Sequence, residues 1–392
     1  MVVSKNLRGD VMLRFIDAGE SHGQGLCAVI EGLPANFTIR KELIDKELKR
    51  RQTGYGRGER MKLEKDQVEI ISGLSDNKTT GGPVTILIQN RDYENWKNRK
   101  SEETFVSVPR PGHADLTGEF KYGTGNLRNS IERSSARETA IRSAVGALCR
   151  QILSELGISI RSKVQTLYGL NDTFCDLFDD SLYEMIEESP MRVLKNEESF
   201  IALMDSARDK GDTLGGWVYA SCEGVMRGLG SFMHYDRRMD GIISGAVMGI
   251  QGVKQVSIGN PFLNFTGYTY HDGIIYEDGK LTRLTNHAGG IEGGITNGEN
   301  IDVYCYMKPI PSILLKIPSV DLKEKKNTES RYERSDVSAV VPLSIVLENV
   351  LAFEILKEIL NTFSRDNKEE LLAAIKYREK RLGELDEQII NY

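Results

Sequence analysis

The stretch RNSIERSSARETAIRSAVGALCR, residues 128–150, decides how the rest of the chain is read. Ile131, Ala136, Ala140, Ile141, Ala144, Val145 and Leu148 recur at helical spacing, which predicts a helix with one face in a core. Ser134, Ser135, Ala136, Ala140, Ala144, Gly146 and Ala147 are small, so another backbone or a flat ligand can come close. Arg133 and Arg137 stand one turn apart and share a face. Two readings compete. One is an amphipathic helix with a solvated basic side; the other is a packed helix whose arginines meet a bound anion.

Outward from this helix the pattern mixes strands and helices without regular alternation. Strands are predicted at 12–16, 26–30, 68–72, 84–89, 164–168, 217–223 and 301–307. Helices are predicted at 41–51, 181–188, 197–210 and 241–249. An apolar helix over 343–363 is entered through Pro342, and a charged one covers 366–392. Asp92 to Thr104 is polar and reads as a mobile loop. No repeat, low-complexity tract or proline-rich linker divides the chain. Residues 12–392 are therefore read as one domain, and residues 1–11 as an N-terminal extension.

The totals narrow the function classes. The 392 residues suffice for a large core, and 40% hydrophobic with 28% charged residues is ordinary for a globular protein. A net charge of −6 argues against a nucleic-acid binder held by a general positive field, so basic clusters must be local and meant for a small anion. The five cysteines are odd in number, spread out and without a CxxC pair, which predicts reduced thiols in a cytoplasmic protein. No apolar run reaches membrane-spanning length, and the first residues lack a signal-peptide core.

The candidate site residues share a character. Ser21-His22 lies in a turn between two apolar strands, and His113 follows Pro111-Gly112 in a stiffened loop. Arg50, Arg51, Arg57, Arg60 and Lys62 cluster around Gly54, Gly56 and Gly58. That loop fits neither a dinucleotide fingerprint nor a phosphate-binding GK[ST] loop. Lys308 and Asp336 lie beside prolines and small residues. No metal-ligand spacing and no GxSxG elbow are present. The set suits a ligand with several negative charges and chemistry based on proton transfer.

Four segments now carry a resemblance: GESHG at 19–23, RRQTGYGRGERM at 50–61, RPGHAD at 110–115 and RNSIERSSARET at 128–139. GGIEGGITNG at 289–298, KPIPS at 308–312 and RSDVSAVVP at 334–342 extend it. In this order, over nearly the whole chain, they resemble the chorismate synthase family. The resemblance implies an α+β fold, a β-α-β sandwich with central helices layered between antiparallel sheets, assembled as a homotetramer. It implies a lyase of the shikimate pathway that converts 5-enolpyruvylshikimate 3-phosphate to chorismate by 1,4-anti elimination of phosphate. Reduced FMN is the implied cofactor, FAD and NADP are related nucleotides, and NADPH is an indirect reductant. A separate flavin reductase is an implied partner, with no nucleic acid and no membrane.

Residue by residue, the resemblance makes His22 the donor to the departing phosphate and His113 the group that protonates or stabilises reduced flavin. Asp336 with Ser21 matches a pair that helps flavin N5 take the C6 proton. Arg51, Arg57, Arg60, Arg137 and Arg334 would grip substrate anions, and Arg51 and Arg57 also match nicotinamide-nucleotide positions. Arg133, Ser134, Ser135, Gln251, Gly252, Gly293, Arg334 and the run Lys308, Pro309, Ile310, Pro311, Ser312 match flavin-contacting positions. On this reading Arg142 and Arg150 keep a surface or interface role. Asp17, Gly252 and Ser312 depart from the common pattern without removing a proton donor. Two rival functions remain: an NAD(P)H-dependent flavin oxidoreductase, and a non-catalytic protein that binds a phosphometabolite.

Overall fold

The computed structural model describes residues 13–57, 66–99, 103–277, 279–363 and 366–389. Two four-stranded antiparallel sheets frame it. The first holds β1 (Arg14–Gly19), β2 (Gly25–Glu31), β3 (Val68–Ser72) and β4 (Val84–Gln89), in the order β1-β2-β4-β3. Leu26, Ala28 and Ile30 pair across from Ile88, Ile86 and Val84, so alternate residues of β2 and β4 make one buried face. The second holds β5 (Ser159–Val164), β6 (Gly216–Glu223), β7 (Val253–Ile258) and β8 (Ile301–Met307), in the order β7-β8-β6-β5. Its register sets Val218 against Cys305 and Val164, and Cys222 against Ile301 and Ile160.

Nine helices of eight residues or more accompany the sheets among the described residues. In chain order they are α1 (Lys41–Gln52), α2 (Asp115–Tyr122), α3 (Leu127–Ser134), α4 (Thr139–Glu155), α5 (Asp180–Glu188), α6 (Glu197–Asp209), α7 (Met239–Met248), α8 (Val340–Thr362) and α9 (Lys368–Ile389). Helix α4 packs on β2 and β4, α8 packs on β5 and β6, and the two helices pack on each other. Phe15 of β1 also meets Phe353 of α8 edge to face at 4.9 Å. This is the α+β layering expected from the sequence. Among the described residues no helix is long and apolar enough to cross a membrane.

The α4–α8 contact depends on Gly146. A methyl built there would lie 2.1 Å from the Asn349 backbone oxygen. Gly146→Ala is therefore expected to cost about 1–3 kcal/mol through forced separation of the two helices, despite alanine's better helix propensity. Thermal unfolding of the variant beside the parent checks this; an unchanged or higher midpoint would contradict the close packing.

Several expectations need correction. Residues 128–150 do not form one helix. The chain leaves helix geometry at Ser135 (φ −63°, ψ 142°), makes a short 3-10 turn over Ala136–Glu138, and restarts as α4. Ser135 drives the break, because its hydroxyl accepts the Arg137 backbone N–H and caps the next turn. The strand expected at 164–168 lies earlier, at Ser159–Val164, with Thr166–Leu167 in a separate two-residue ladder. The loop after Asp92 contains a 3-10 turn at Arg91–Asn95 whose cap is the Asn90 side chain. Arg150 is not on the surface: it joins a buried ion cluster. Residues 1–11, Arg60 and Lys62 lie outside the described residues.

Candidate active site

The β1–β2 connection carries Ser21 and His22. Gly19 sits at φ 122°, and a Cβ there would fall 2.4 Å from the Gly25 oxygen, so the loop can close only on glycine. Asn90 donates its side-chain amide to the carbonyls of Ser21 (3.0 Å) and Gly23 (2.9 Å), tying the loop to the end of β4. Glu132 of α3 holds it from the other side. Its backbone oxygen accepts the Ser21 N–H at 3.1 Å, and its carboxylate accepts the His22 N–H at 2.8 Å. The two carboxylate oxygens also lie 2.9 and 3.0 Å from His22 Nδ1. Burial alone would raise the Glu132 carboxyl, but His22 and Arg128 outweigh it and hold it below its ordinary range. Trp96 stacks on the imidazole with ring centroids 3.8 Å apart.

His113 is built in the same manner. Its Nδ1 meets the carboxylate of Asp115 at the start of α2. Asp115 is fully buried and takes a fork from Arg110, with Nε at 3.0 Å and Nη2 at 3.1 Å, plus the Arg110 backbone N–H at 3.0 Å. Burial pushes this carboxyl up, yet the hydrogen bonds from His113 and Arg110 dominate and hold it well below the usual carboxylate range. The two histidine sites are joined. Arg128 lies 3.5 Å from Glu132 and 2.9 Å from Glu333, and Glu333 is 3.3 Å from Arg110. Carboxylate and guanidinium thus alternate all the way from His22 to His113.

Three of the arginines that match substrate positions, Arg51, Arg57 and Arg137, lie against acids. Both terminal nitrogens of Arg137 reach Asp66, at 2.5 and 2.8 Å, and Arg51 lies 3.8 Å from the same carboxylate while donating to Thr139 at 3.1 Å. Arg57 donates to Asp336 at 2.6 Å. Ser135 donates its hydroxyl to the Ser21 hydroxyl at 3.3 Å.

The flavin-matching residues fall into two sets. One converges on the His113 loop. Lys308 donates its ammonium to the Gly112 carbonyl and its backbone N–H to Gly252 at 3.0 Å. Burial, with Lys254 nearby, lowers the pKa of Lys308. Thr213 fixes the Ile310 carbonyl at 2.7 Å, next to Pro309. Pro311 stands against Gly112, where an added Cβ would be 3.5 Å from its own Cβ. Ser312 bonds the Glu333 carbonyl and accepts its N–H at 2.9 Å, and Ser335 donates to Ser312 at 3.0 Å, on either side of exposed Arg334. Gln251 gives its amide N–H to Glu138, which follows Arg137 in the chain.

The second set stands apart. Ser134 turns its hydroxyl back to the Ser130 carbonyl at 2.6 Å. Arg133 reaches β1, at 3.0 Å from Asp17 and 3.3 Å from the Gly19 carbonyl. Gly293 occupies the turn of a small hairpin, Ile291–Glu292 with Ile295–Thr296, at φ 60° with open space at its Cβ position.

These groups fit a flavin mononucleotide. The Gln251 side-chain oxygen is buried and accepts no hydrogen bond among the described residues, as suits a ring N–H. The Lys308 backbone holds the neighbouring Gly252, while its ammonium lies at the Gly112 carbonyl. Sequence reading missed Glu132, Asp115, Arg110, Arg128, Glu333, Asp66 and Trp96. Two had a visible signal: Glu132 is four residues from Arg128, and Asp115 is two from His113.

Two carboxylate-backed histidines stand amid guanidinium groups, an arrangement chemically suited to an enzyme that moves protons on an anionic substrate. Comparison with known proteins makes the class specific. The family profile described as chorismate synthase matches residues 13–360. A chorismate synthase of Clostridium tetani (strain Massachusetts / E88) is 53% identical over 367 residues, covering 92% of this chain and 95% of the relative. One from Thermoanaerobacter pseudethanolicus is 47% identical over 362 residues, covering 92% and 96%. A solved crystal structure of a chorismate synthase superposes with a TM-score of 0.78 at 36% identity, covering 95% of this chain and 99% of that one. The chain belongs to the chorismate synthase family. It is a lyase of the shikimate pathway, in aromatic amino acid biosynthesis.

Proposed function

We propose that this chain converts 5-enolpyruvylshikimate 3-phosphate to chorismate and phosphate by 1,4-anti elimination. The bond to phosphate breaks, a proton leaves C6, and no net redox change results. The carrying observation is the pair of histidines, each held at Nδ1 by a carboxylate that an arginine in turn steadies. At His22, where Nδ1 faces the two carboxylate oxygens of Glu132, this leaves Nε2 to meet a substrate. His22 then protonates the departing phosphate. Arg51, Arg57, Arg60, Arg137 and Arg334 carry the charge to meet one phosphate and two carboxylates. Ser21 and Asp336 serve the C6 proton.

Reduced FMN, when bound, supplies the electron chemistry. His113 would stand beside it and keep its protonation state. Gln251, Gly252, Gly293, the Lys308–Ser312 run, Arg133, Ser134 and Ser135 would hold it. The reading takes residues 12–392 as one catalytic domain, a homotetramer as the assembly and the cytoplasm as the compartment. A separate reductase, with NADPH as the indirect electron source, supplies the reduced flavin.

The test is an anaerobic assay with photoreduced FMN. Chorismate and phosphate should appear in equal amounts. Tight binding of substrate without chorismate would overturn the reading, and aerobic turnover with NADPH and FMN alone would overturn the external reductase.

A further inference from the structure

We propose that Glu132 is the positioning residue of His22: it fixes the proton on Nδ1 and steadies the charged ring, so that transfer to the departing phosphate runs through Nε2. The inference rests on the donor role given to His22 above. In the step, the Nε2–H bond breaks as an O–H bond forms on the leaving phosphate. The ring is left neutral, with its remaining proton on Nδ1 facing Glu132.

Three features of the geometry carry this. First, one carboxylate takes both the ring Nδ1 and the backbone N–H of the same residue, so ring and main chain are fixed relative to one another. Second, the carboxylate is itself anchored: it projects from α3, whose backbone at Glu132 also holds Ser21, and Arg128 approaches it from one turn earlier. Third, Trp96 covers the face of the imidazole, which blocks rotation of the ring and places a π-face against its positive charge. Among the described residues, charged groups around the pair include Arg128, Glu333 behind Arg128, and Arg99, whose guanidinium lies 4.2 Å from the Trp96 ring. The depressed Glu132 carboxyl agrees with a carboxylate that stays ionised opposite a proton donor. A plain loop staple would need the backbone contact alone; the two oxygens on Nδ1 add nothing to that purpose.

The chain has two tryptophans, so Trp217→Phe leaves Trp96 as the sole indole. An imidazolium in contact with indole quenches its emission, and Trp96 therefore reports the charge on His22. In the Trp217→Phe protein, emission should fall as pH is lowered, and His22→Asn should abolish the transition. Adding E132Q should move its midpoint to lower pH by about one unit or more, because the paired charge is gone. The same substitution should lower kcat roughly tenfold or more while KM changes less than twofold. E132D, which keeps the charge, should restore most of kcat and return the midpoint. An unmoved midpoint or an unchanged kcat in E132Q overturns the proposal. Where E132Q does not fold, E132D decides on the same readouts: a midpoint and kcat that fail to follow each other overturn it. A parent protein that makes no chorismate sinks the underlying function but leaves the fluorescence result standing.

Discussion

Alanine at His22 is expected to lower turnover by roughly two orders of magnitude or more, with FMN still bound. The expectation rests on the proposed donor role and on the chemistry of the described side chains around it. Arginine keeps its proton at working pH, so Arg51, Arg57 and Arg137 can hold an oxyanion but cannot protonate it. Glu132 and Asp66 are acceptors facing cations. The imidazole, 17% exposed and held at one nitrogen by Glu132, is the side chain here able both to carry a proton and to give it up. On the proposed role beside the flavin, His113→Ala should show a loss of similar size. Anaerobic steady-state rates with photoreduced FMN, beside FMN titrations, separate lost chemistry from lost cofactor. Turnover close to the parent in either variant would remove that histidine from its assigned role.

Removing the charge of Glu348 is expected to give the largest loss of stability. Glu348 lies on α8 and is fully buried. Arg50, Arg150 and Arg192 all reach it, at 2.8, 2.5 and 3.4 Å, and Ser162 donates to it at 2.7 Å. Burial opposes its charge, but the three guanidinium groups win and hold the carboxyl well below its ordinary range. Glu348→Gln leaves three buried cations short of an anion, a kind of change that costs about 3–5 kcal/mol. The pH dependence has a definite sign. A carboxyl whose folded pKa is depressed stabilises fully above its unfolded value and loses that contribution as pH falls through the folded one. Glu187 in the same cluster, pushed up by burial but down further by Arg192 and Arg50, sits at about 2 against 4.5. The cluster should therefore weaken from about pH 4.5 downward. Chemical denaturation at pH 7 and pH 4 checks both points. Equal stability of parent and Gln variant at pH 7 would contradict the hub.

Much of the fold was legible because its signals are local. Strands 68–72, 84–89 and 301–307 and helix 41–52 follow periodicity within one residue of the observed ends. The break at Ser135 was hidden because it comes from a side-chain cap inside a pattern that stays helical across it. Cations of the site were legible, because arginines among glycines and serines stand out in an acidic chain. Their acidic partners were not: Asp66 and Glu333 are 71 and 205 residues from Arg137 and Arg128, and only folding brings them near. Arg150 shows the same limit from the other side, since a cation on a helix gives no sign that Glu348 waits in the core.

Asp66 gives the resting protein a property of its own. With its carboxylate seated on both arms of Arg137 and close to Arg51, the pocket is an ion exchanger already in one salt form. An arriving anion must displace or share with this internal counter-ion, so what counts is the difference between two pairings rather than the strength of one. Stray monoanions gain little from such a swap. On the proposed substrate role, a ligand that brings several anionic groups at once gains from every one it seats, so the Asp66–Arg137 pairing favours multiply charged ligands over single charges.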